Sequence, residues 1–428
     1  MGALTVYNVK TDYNGSIQNA LNAAATTGGI VYLPYGTYTI TSGLTLSGAS
    51  TSGSGSDIHF SPMRRIKILG DHAIIKATAA MTNMLTINSV NYFLEIENVV
   101  FDGGSPAKYA TSGLAINSGN MHIKVEHCAF WHLTKGISCE NVGVIEILYS
   151  VFKCAYGIYG GVGASGYGGI GDSFIAHNDF YPNNEGIHLE GSGNGNNSIF
   201  RNIFSRDQAT GIVGININST STSDPIRDIK ISENEFYGCD TAIKVVGYNA
   251  TYPAYGIIIT ENHYTPASVV GIKCTLVDAT YMTASIINNN RLGTPSIAND
   301  NYDSMRAVYL KNCTGINVQN NIIGGASSEA VRIENGTGMM VSGNSCFNAG
   351  LRTVGDAYIN LYNTNDSVVF NNRCENFSGI SGATIGVALT GASAGCRVTH
   401  NFTKNVSAAA YNGSSGSNNV LVDNYNNA

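Results

Sequence analysis

Glu185-Gly-Ile-His188-Leu-Glu190 packs two carboxylates and an imidazole into six residues. Alternate side chains of an extended strand share a face, so His188 and Glu190 point the same way, with Glu185 at the turn just before them. Asp207 lies in the turn that enters the next stretch. A glycosidase uses two carboxylates, about 5 to 5.5 Å apart for retention or about 6.5 to 9.5 Å apart for inversion, and neighbouring strands offer either spacing. Elimination from a uronic acid needs instead a base for the proton alpha to the carboxylate, with cations or amides to neutralise the developing enolate. Lys244, Lys273, Tyr309, Lys311 and Arg332 are of that kind. Any one exposed Glu, Lys or Arg on a strand is usually solvated or paired with its neighbour. A histidine between two glutamates is an expensive choice for a solvated face, which makes His188 the strongest single candidate.

The elements that must hold these residues show in a repeat. Asn178, Asn202, Asn234, Asn262, Asn290, Asn321, Asn344, Asn372, Asn401 and Asn424 follow one another at intervals of 23 to 32 residues, each in a similar frame, as in Ile231-Ser-Glu-Asn234-Glu-Phe236. Self-similarity at that period marks stacked supersecondary units. The segments alternate at period two and are rich in Ile, Val, Tyr and Phe between Gly and Asn clusters, which is strand chemistry. Two or three short strands and a polar turn per coil describe an all-β parallel β-helix solenoid. Stacking brings equivalent positions to about 4.8 Å, so the asparagines are expected to form an internal ladder of amides without any catalytic meaning.

The second strand of each coil reads small, apolar, x, apolar, x, with x facing outward. In register, x runs Ser138 and Glu140; Tyr159; His188 and Glu190; Asn216 and Asn218; Lys244 and Val246; Lys273 and Thr275; Tyr309 and Lys311; Arg332 and Glu334; Asn360 and Tyr362; Ala388 and Thr390. From this column the expected catalytic set is Glu185, His188, Glu190 and Asp207. The expected substrate-binding set is Tyr159, Asn216, Lys244, Lys273, Tyr309, Lys311, Arg332, Glu334 and Tyr362. The glycine-rich run Gly157 to Ser173 has no Gly-Lys-Ser/Thr and is no phosphate loop. It reads as a long loop beside the cleft, with Tyr159 and Tyr167 placed to stack on sugars.

Composition agrees. Of 428 residues only 12% are charged, while 50 are Gly and 24 Tyr, giving a surface of amide, hydroxyl and aromatic groups that suits sugars. A net charge of −6 offers no field for a phosphate backbone, so a nucleic-acid partner is not expected. No run approaches the roughly 18 apolar residues of a membrane span, and no signal sequence opens the chain. Met1-Gly-Ala3 reads as an artificial start, compatible with a removed export signal. Nine scattered cysteines without a CxxC read as small buried hydrophobes, Cys346 and Cys374 being placed to approach one another. Asn299-Asp300-Asn301-Tyr302-Asp303 lacks the spaced acids and closing Glu of a calcium loop and reads as a turn. His127, His132, His177 and His263 lack ligand spacing and read as turn or ladder residues. No metal and no cofactor are expected.

The N-terminus differs in kind. Ile17, Leu21 and Ala24/Ala25 fall on one helical stripe that Gly28-Gly29 ends, so residues 4 to 27 read as a cap over the first coil. Ser16 through Ile40, a helix and then Gly-Gly-Ile-Val-Tyr-Leu-Pro-Tyr-Gly-Thr-Tyr-Thr-Ile, resembles the opening of the pectate-lyase-like superfamily, in its branch of polysaccharide lyases, glycosidases, epimerases and phage tailspikes. Leu94-Glu-Ile-Glu-Asn-Val-Val-Phe-Asp-Gly103 resembles its early coil. The usual Asp-Tyr-Gly-Ala opening is reduced here to Val9-Lys-Thr-Asp-Tyr-Asn14. The resemblance implies a right-handed parallel β-helix with an N-terminal capping helix, a cap and first strands over 1–45 and the helix proper over 46–428. It also implies a polysaccharide bound along the outward column. The paired-aspartate and Gly-His-Gly pattern of polygalacturonases and the Arg-Pro-Arg signature of pectate lyases proper are missing from the sequence, which disfavours those two activities. The expected function is a polysaccharide-degrading enzyme, hydrolase or lyase, free or as a tailspike depolymerase, extracellular or virion-associated. The alternative is a non-catalytic glycan-binding or adhesive β-helix. Val420-Leu-Val-Asp-Asn424-Tyr completes a coil with no second cap, and since tailspike relatives are commonly trimers, a homotrimer is expected.

Overall fold

In the computed structural model of the chain, residues 4–47, 65–88, 93–117, 121–161, 169–191, 194–206, 210–220, 225–265, 275–293, 306–326, 328–348, 357–377 and 385–427 are described. They fall in two compact units, Met1–Ile203 and Phe204–Ala428. In each, short strands pair in parallel with the equivalent strand one coil on, as Gly29–Leu33 does with Ile66–Ala77 and Lys230–Ser232 with Ile258–Thr260. The fold is a right-handed parallel β-helix with a capping helix.

That helix, Ile17–Thr27, starts where the Ser16 side chain accepts from the Asn19 N–H and stops at Gly28, whose φ of 76° suits a residue without a Cβ. Ile17, Ala20, Leu21 and Ala24 form its buried face. On its flank the Gln18 amide donates to the Thr45 carbonyl at 2.8 Å and accepts from the Thr45 N–H at 2.9 Å. A side chain thus satisfies backbone groups on the strand Leu44–Ser47.

Inside the first unit, Phe101, Phe130, Phe152 and Phe180 stack in sequence, with centroids 5.1, 5.0 and 4.8 Å apart. The asparagines form the expected ladder. In the second unit Asn262 accepts from both the N–H and the Nδ2 of Asn234 at 3.1 and 3.0 Å, and its own Nδ2 donates to the Ile231 carbonyl and to Asn290. The pattern repeats to Asn424, so amides buried at high cost are satisfied on every side. The residue before each ladder Asn is left-handed, including the non-glycine Glu233, Glu261, Asn289 and Asn371.

The glycine-rich run differs from the loop expected of it. Val151–Gly161 is one strand and Ile170–Gly171 another, while Tyr167 lies outside the described residues. Gly157 is needed because a Cβ there would meet the Phe180 ring at 2.5 Å and the Gly186 carbonyl at 2.6 Å. Cys346 and Cys374 sit side by side in register, and none of the eight described cysteines forms a disulfide.

Candidate functional site

Three adjacent strands of the first unit bring chemistry together. Ala129–Glu140, Val151–Gly161 and Glu185–Glu190 pair so that Lys135, Tyr156 and Glu185 form one row and Ser138, Tyr159 and His188 another. The Tyr159 ring is held between the two neighbouring strands. The Lys135 ammonium sits 3.5 Å from its centroid, and the His188 imidazole stacks on it at 4.6 Å with planes 2° from parallel. The Tyr159 hydroxyl donates to Glu190 Oε2 at 2.7 Å.

His188 lies between the two glutamates of its own strand. Its Nδ1 is 2.5 Å from Glu185 Oε2 and its Nε2 is 3.4 Å from Glu190 Oε2. A carboxylate can only accept, so Nδ1 carries a proton toward Glu185. The His188 and Glu185 side chains are 11% and 13% exposed, and Glu190 is 27% exposed. Burial, and then the hydrogen bond to Glu190, push the Tyr159 phenol well above its ordinary value. Burial pulls the Lys135 ammonium below its own, opposed by Glu140 and Glu190. Tyr156 completes the wall, edge-on to Tyr159 and His188 and bonded through its hydroxyl to Asn184.

The second unit repeats this frame with one exchange. Glu329-Ala-Val-Arg332-Ile-Glu334 matches Glu185-Gly-Ile-His188-Leu-Glu190 position for position, with arginine for histidine. Arg332 Nη1 contacts Glu329 at 2.6 Å and Arg332 Nη2 contacts Glu334 at 3.0 Å. Tyr309, in register with Arg332 on the preceding strand, donates to Glu334 at 2.8 Å as Tyr159 does to Glu190. Arg306 closes the network on Glu329 at 3.0 Å. Burial alone would raise the Glu329 carboxyl, but Ser328, its own N–H, Arg306 and Arg332 outweigh it and hold it at about 2. Burial and the bond to Glu334 raise Tyr309 to about 12. A guanidinium keeps its proton at any working pH, so Arg332 cannot take up a proton as an imidazole in that position can.

The other expected residues are placed as follows. Asn216 is buried and in register with Lys244. The neighbour of Lys244 on the next strand is Asp278, which in turn neighbours Tyr309. The strand is Thr275–Thr280, so the column position assigned to Lys273 belongs to Asp278, and Lys273 itself lies outside the described residues. Lys311 is exposed beside Glu334. Tyr362 lies under the Arg332 guanidinium, 5.2 Å from ring centroid to Cζ. Asp207 and Asn299 to Asp303 are outside the described residues. Among the described residues no group of three or more His, Cys, Asp or Glu could hold a metal ion. His127 and His177 stack on either side of Tyr149, and His132 Nδ1 bonds Asp102 at 2.8 Å. Lys135 and Glu329 escaped sequence reasoning because each sits three residues before the column position of its strand. The recurrence of Glu-x-apolar-His/Arg-apolar-Glu was the signal for Glu329.

The sequence pattern of the rhamnogalacturonase A/epimerase, pectate lyase-like family matches residues 8–244, more than half of the chain. The chain belongs to that family. The match to this pectate lyase-like family takes in every residue of the Lys135–Tyr159–His188 cluster. No curated protein matches the chain by sequence. Among solved structures, the chain is similar to the A-module of the Azotobacter vinelandii mannuronan C-5 epimerase AlgE6, at 15% identity over 99% of both chains with a TM-score of 0.39. It is similar to PfbA, a surface adhesin of Streptococcus pneumoniae, at 15% identity over 94% of this chain and 91% of that one, with a TM-score of 0.47. It is also similar to the tailspike of E. coli bacteriophage HK620, solved with a pentasaccharide, at 13% identity over 95% and 76%, with a TM-score of 0.47. No helix among the described residues is long and apolar enough to cross a membrane.

Proposed function

We propose that this pectate lyase-like protein acts on an acidic polysaccharide, removing the proton alpha to a uronate carboxylate at the Lys135–Tyr159–His188 stack. One observation carries the reading: a half-buried phenol is held between an ammonium and an imidazole, with its hydroxyl on a carboxylate. The paired-carboxylate hydrolysis that sequence alone left open fits less well. Glu185 bonds one nitrogen of the His188 imidazole and Glu190 lies 3.4 Å from the other, so a ring stands between them where a scissile bond and its water would go.

In the proposed reaction the substrate displaces the Glu190 side chain that covers the buried His188 Nε2, which then takes the proton from the carbon alpha to the carboxylate, and Glu185 stabilises the imidazolium that forms. The electron pair is delocalised into the carboxylate, where the Lys135 charge lowers its cost. In a lyase the pair then forms the new carbon–carbon double bond as the glycosidic C–O bond breaks, and the Tyr159 hydroxyl protonates the leaving oxygen. In an epimerase the carbon is reprotonated from the opposite face and no bond in the chain breaks. A polymer substrate is too large to be imported, which favours action outside the cell or from a virion.

The test is incubation with a polyuronate in deuterated water, following absorbance at about 235 nm, new reducing ends and deuterium at the alpha carbon. Rising absorbance identifies elimination, and deuterium without it identifies epimerisation. Reducing ends with neither signal would overturn the proposal in favour of hydrolysis.

The second unit favours a different reading for its own frame. Arg332 cannot exchange protons, and its network with Tyr309, Glu334 and Tyr362 offers hydroxyl-binding groups beside an aromatic face. We assign it to saccharide binding without chemistry.

A further inference from the structure

One turn of the second unit is longer than the turn that follows it in the stack. Residues 247–253 separate the strand Thr241–Val246 from Ala254–Tyr255, whereas Tyr281 alone separates their paired strands Thr275–Thr280 and Met282–Thr283. The insertion, Gly247-Tyr-Asn-Ala-Thr-Tyr-Pro253, carries no charge. It is braced by its own bonds. The Tyr248 N–H donates to the Tyr252 carbonyl at 3.1 Å, and Asn249 Oδ1 accepts from the N–H groups of Thr251 and Tyr252 at 2.9 and 3.0 Å. A Cβ on Gly247 would meet the Tyr281 carbonyl at 2.1 Å, so the loop starts hard against the next coil. The two phenols form a corner: their ring centroids are 6.5 Å apart, their planes 65° from parallel, and Tyr248 is 44% exposed.

The same turn position in later coils holds amides. Backbone N–H groups donate from Gly247 to the Thr280 carbonyl, from Tyr281 to Lys311, from Asn312 to Glu334, from Asn335 to Tyr362 and from Asn363 to Thr390, which sets these five donors in one row. At about 4.8 Å per coil the row runs about 19 Å. Asn335 Nδ2 donates to Asn312 Oδ1 at 3.0 Å, and Asn363 Nδ2 to Asn335 Oδ1 at 3.3 Å, on the exposed surface. A primary amide has two N–H donors, and in Asn335 and Asn363 this outer ladder uses one of them. Lys311 and Glu334, which precede two of the asparagines, are opposite charges in register. A single exposed aromatic needs no explanation in itself. An angled pair of phenols on a braced insertion, in line with amides that have donors to spare, has the chemistry of a neutral sugar: an apolar pyranose face edged by hydroxyls.

We propose that the Tyr248–Tyr252 corner, continued by Asn312, Asn335 and Asn363, binds an uncharged oligosaccharide. This goes beyond the acidic substrate proposed for the first unit, adding a second class of sugar at a second place. It stands or falls separately from the Lys135–Tyr159–His188 stack.

The experiment titrates the native protein calorimetrically with dextran, galactomannan and arabinoxylan oligomers, and with a polyuronate for comparison. The expected result is saturable binding of at least one neutral oligomer, unchanged by added salt. Tyr248→Ala and Tyr252→Ala should each weaken that binding about 2- to 12-fold, and Tyr248→Phe should keep it. Circular dichroism checks that the variants fold. Binding of a neutral oligomer that both alanine variants leave unchanged would overturn the corner. So would turnover of a polyuronate by a protein that binds none of the three neutral oligomers, and this would leave the catalytic reading standing. Neutral binding lost in the alanine variants of a protein that never turns over a polyuronate would support the corner and sink the catalytic reading.

Discussion

Tyr159 lies flat on His188, their centroids 4.6 Å apart, and the two residues come from strands in register, 29 positions apart in sequence. Parallel stacking of coils imposes that contact: any aromatic and imidazole at equivalent positions of successive coils must meet face to face. What distinguishes this pair is its flanks, Lys135 on one side and two glutamates on the other.

His188→Arg converts the first frame into the second, whose Arg332 shows that a guanidinium fits between the same two glutamates. The protein should fold, with a melting temperature within a few degrees of the parent, and lose about 100- to 10,000-fold in rate. Circular dichroism and the polyuronate assay check the two halves separately. Unfolding of this variant would show that the two frames are not equivalent.

Tyr159→Phe keeps the ring between Lys135 and His188 and removes only the hydroxyl that reaches Glu190. The rate should fall about 100- to 10,000-fold with little change in KM, because the lost group acts on a proton and not on binding. A rise in KM alone would reassign Tyr159 to sugar stacking.

Lys135 is held below its ordinary value by burial, so the ammonium loses its proton at a lower pH than a solvated lysine. The alkaline limb of the pH–rate profile should therefore fall below the usual lysine value of about 10.4. Lys135→Arg should move that limb upward, since a guanidinium keeps its charge. An unmoved limb would mean that Lys135 does not set it.

Glu329 is held at about 2, below its ordinary 4.5. For a carboxyl lowered on folding, the stabilisation is present above the ordinary value and lost as pH falls through the folded one. Stability should thus decline between pH 4.5 and about 2, by on the order of 3 kcal/mol from this group. Glu329→Gln should flatten that part of the acid-unfolding curve while lowering stability at neutral pH, because Arg306 and Arg332 lose a buried partner. Urea unfolding at several pH values measures both.

Asn262→Ala leaves the Asn234 N–H and Nδ2 without their acceptor and the Ile231 carbonyl without its donor. At about 1–3 kcal/mol for each buried group so orphaned, the loss should be on the order of 3 kcal/mol or more. Asn424, which sits in a more exposed coil and accepts from Asn401, should cost less when replaced. Equal effects at the two positions would mean that the ladder does not carry stability through burial.

Much of this was legible in the residues and some was not, for physical reasons. The ladder and the outward column follow from periods of one coil and of two residues, and both are written directly in the sequence. Period two cannot choose between neighbouring stretches that both alternate. Ile272-Lys-Cys-Thr and Leu276-Val-Asp-Ala each read as the strand after Lys244, and the structure uses the second, placing Asp278 in the column. Lys135 and Glu329 lie before their column positions, where alternation assigns no face. The left-handed turns at Glu233 and Glu261 gave no warning either, since glutamate carries no preference for that conformation.

The amide of Gln18 meets both backbone groups of Thr45, giving that residue the donor and the acceptor that an arriving strand would bring. At Thr45 a foreign β-strand therefore finds its docking contacts already taken, and adding one would first require pulling the Ile17–Thr27 helix away. A single glutamine turns a surface that would template assembly into one that resists amyloid-like growth at that point.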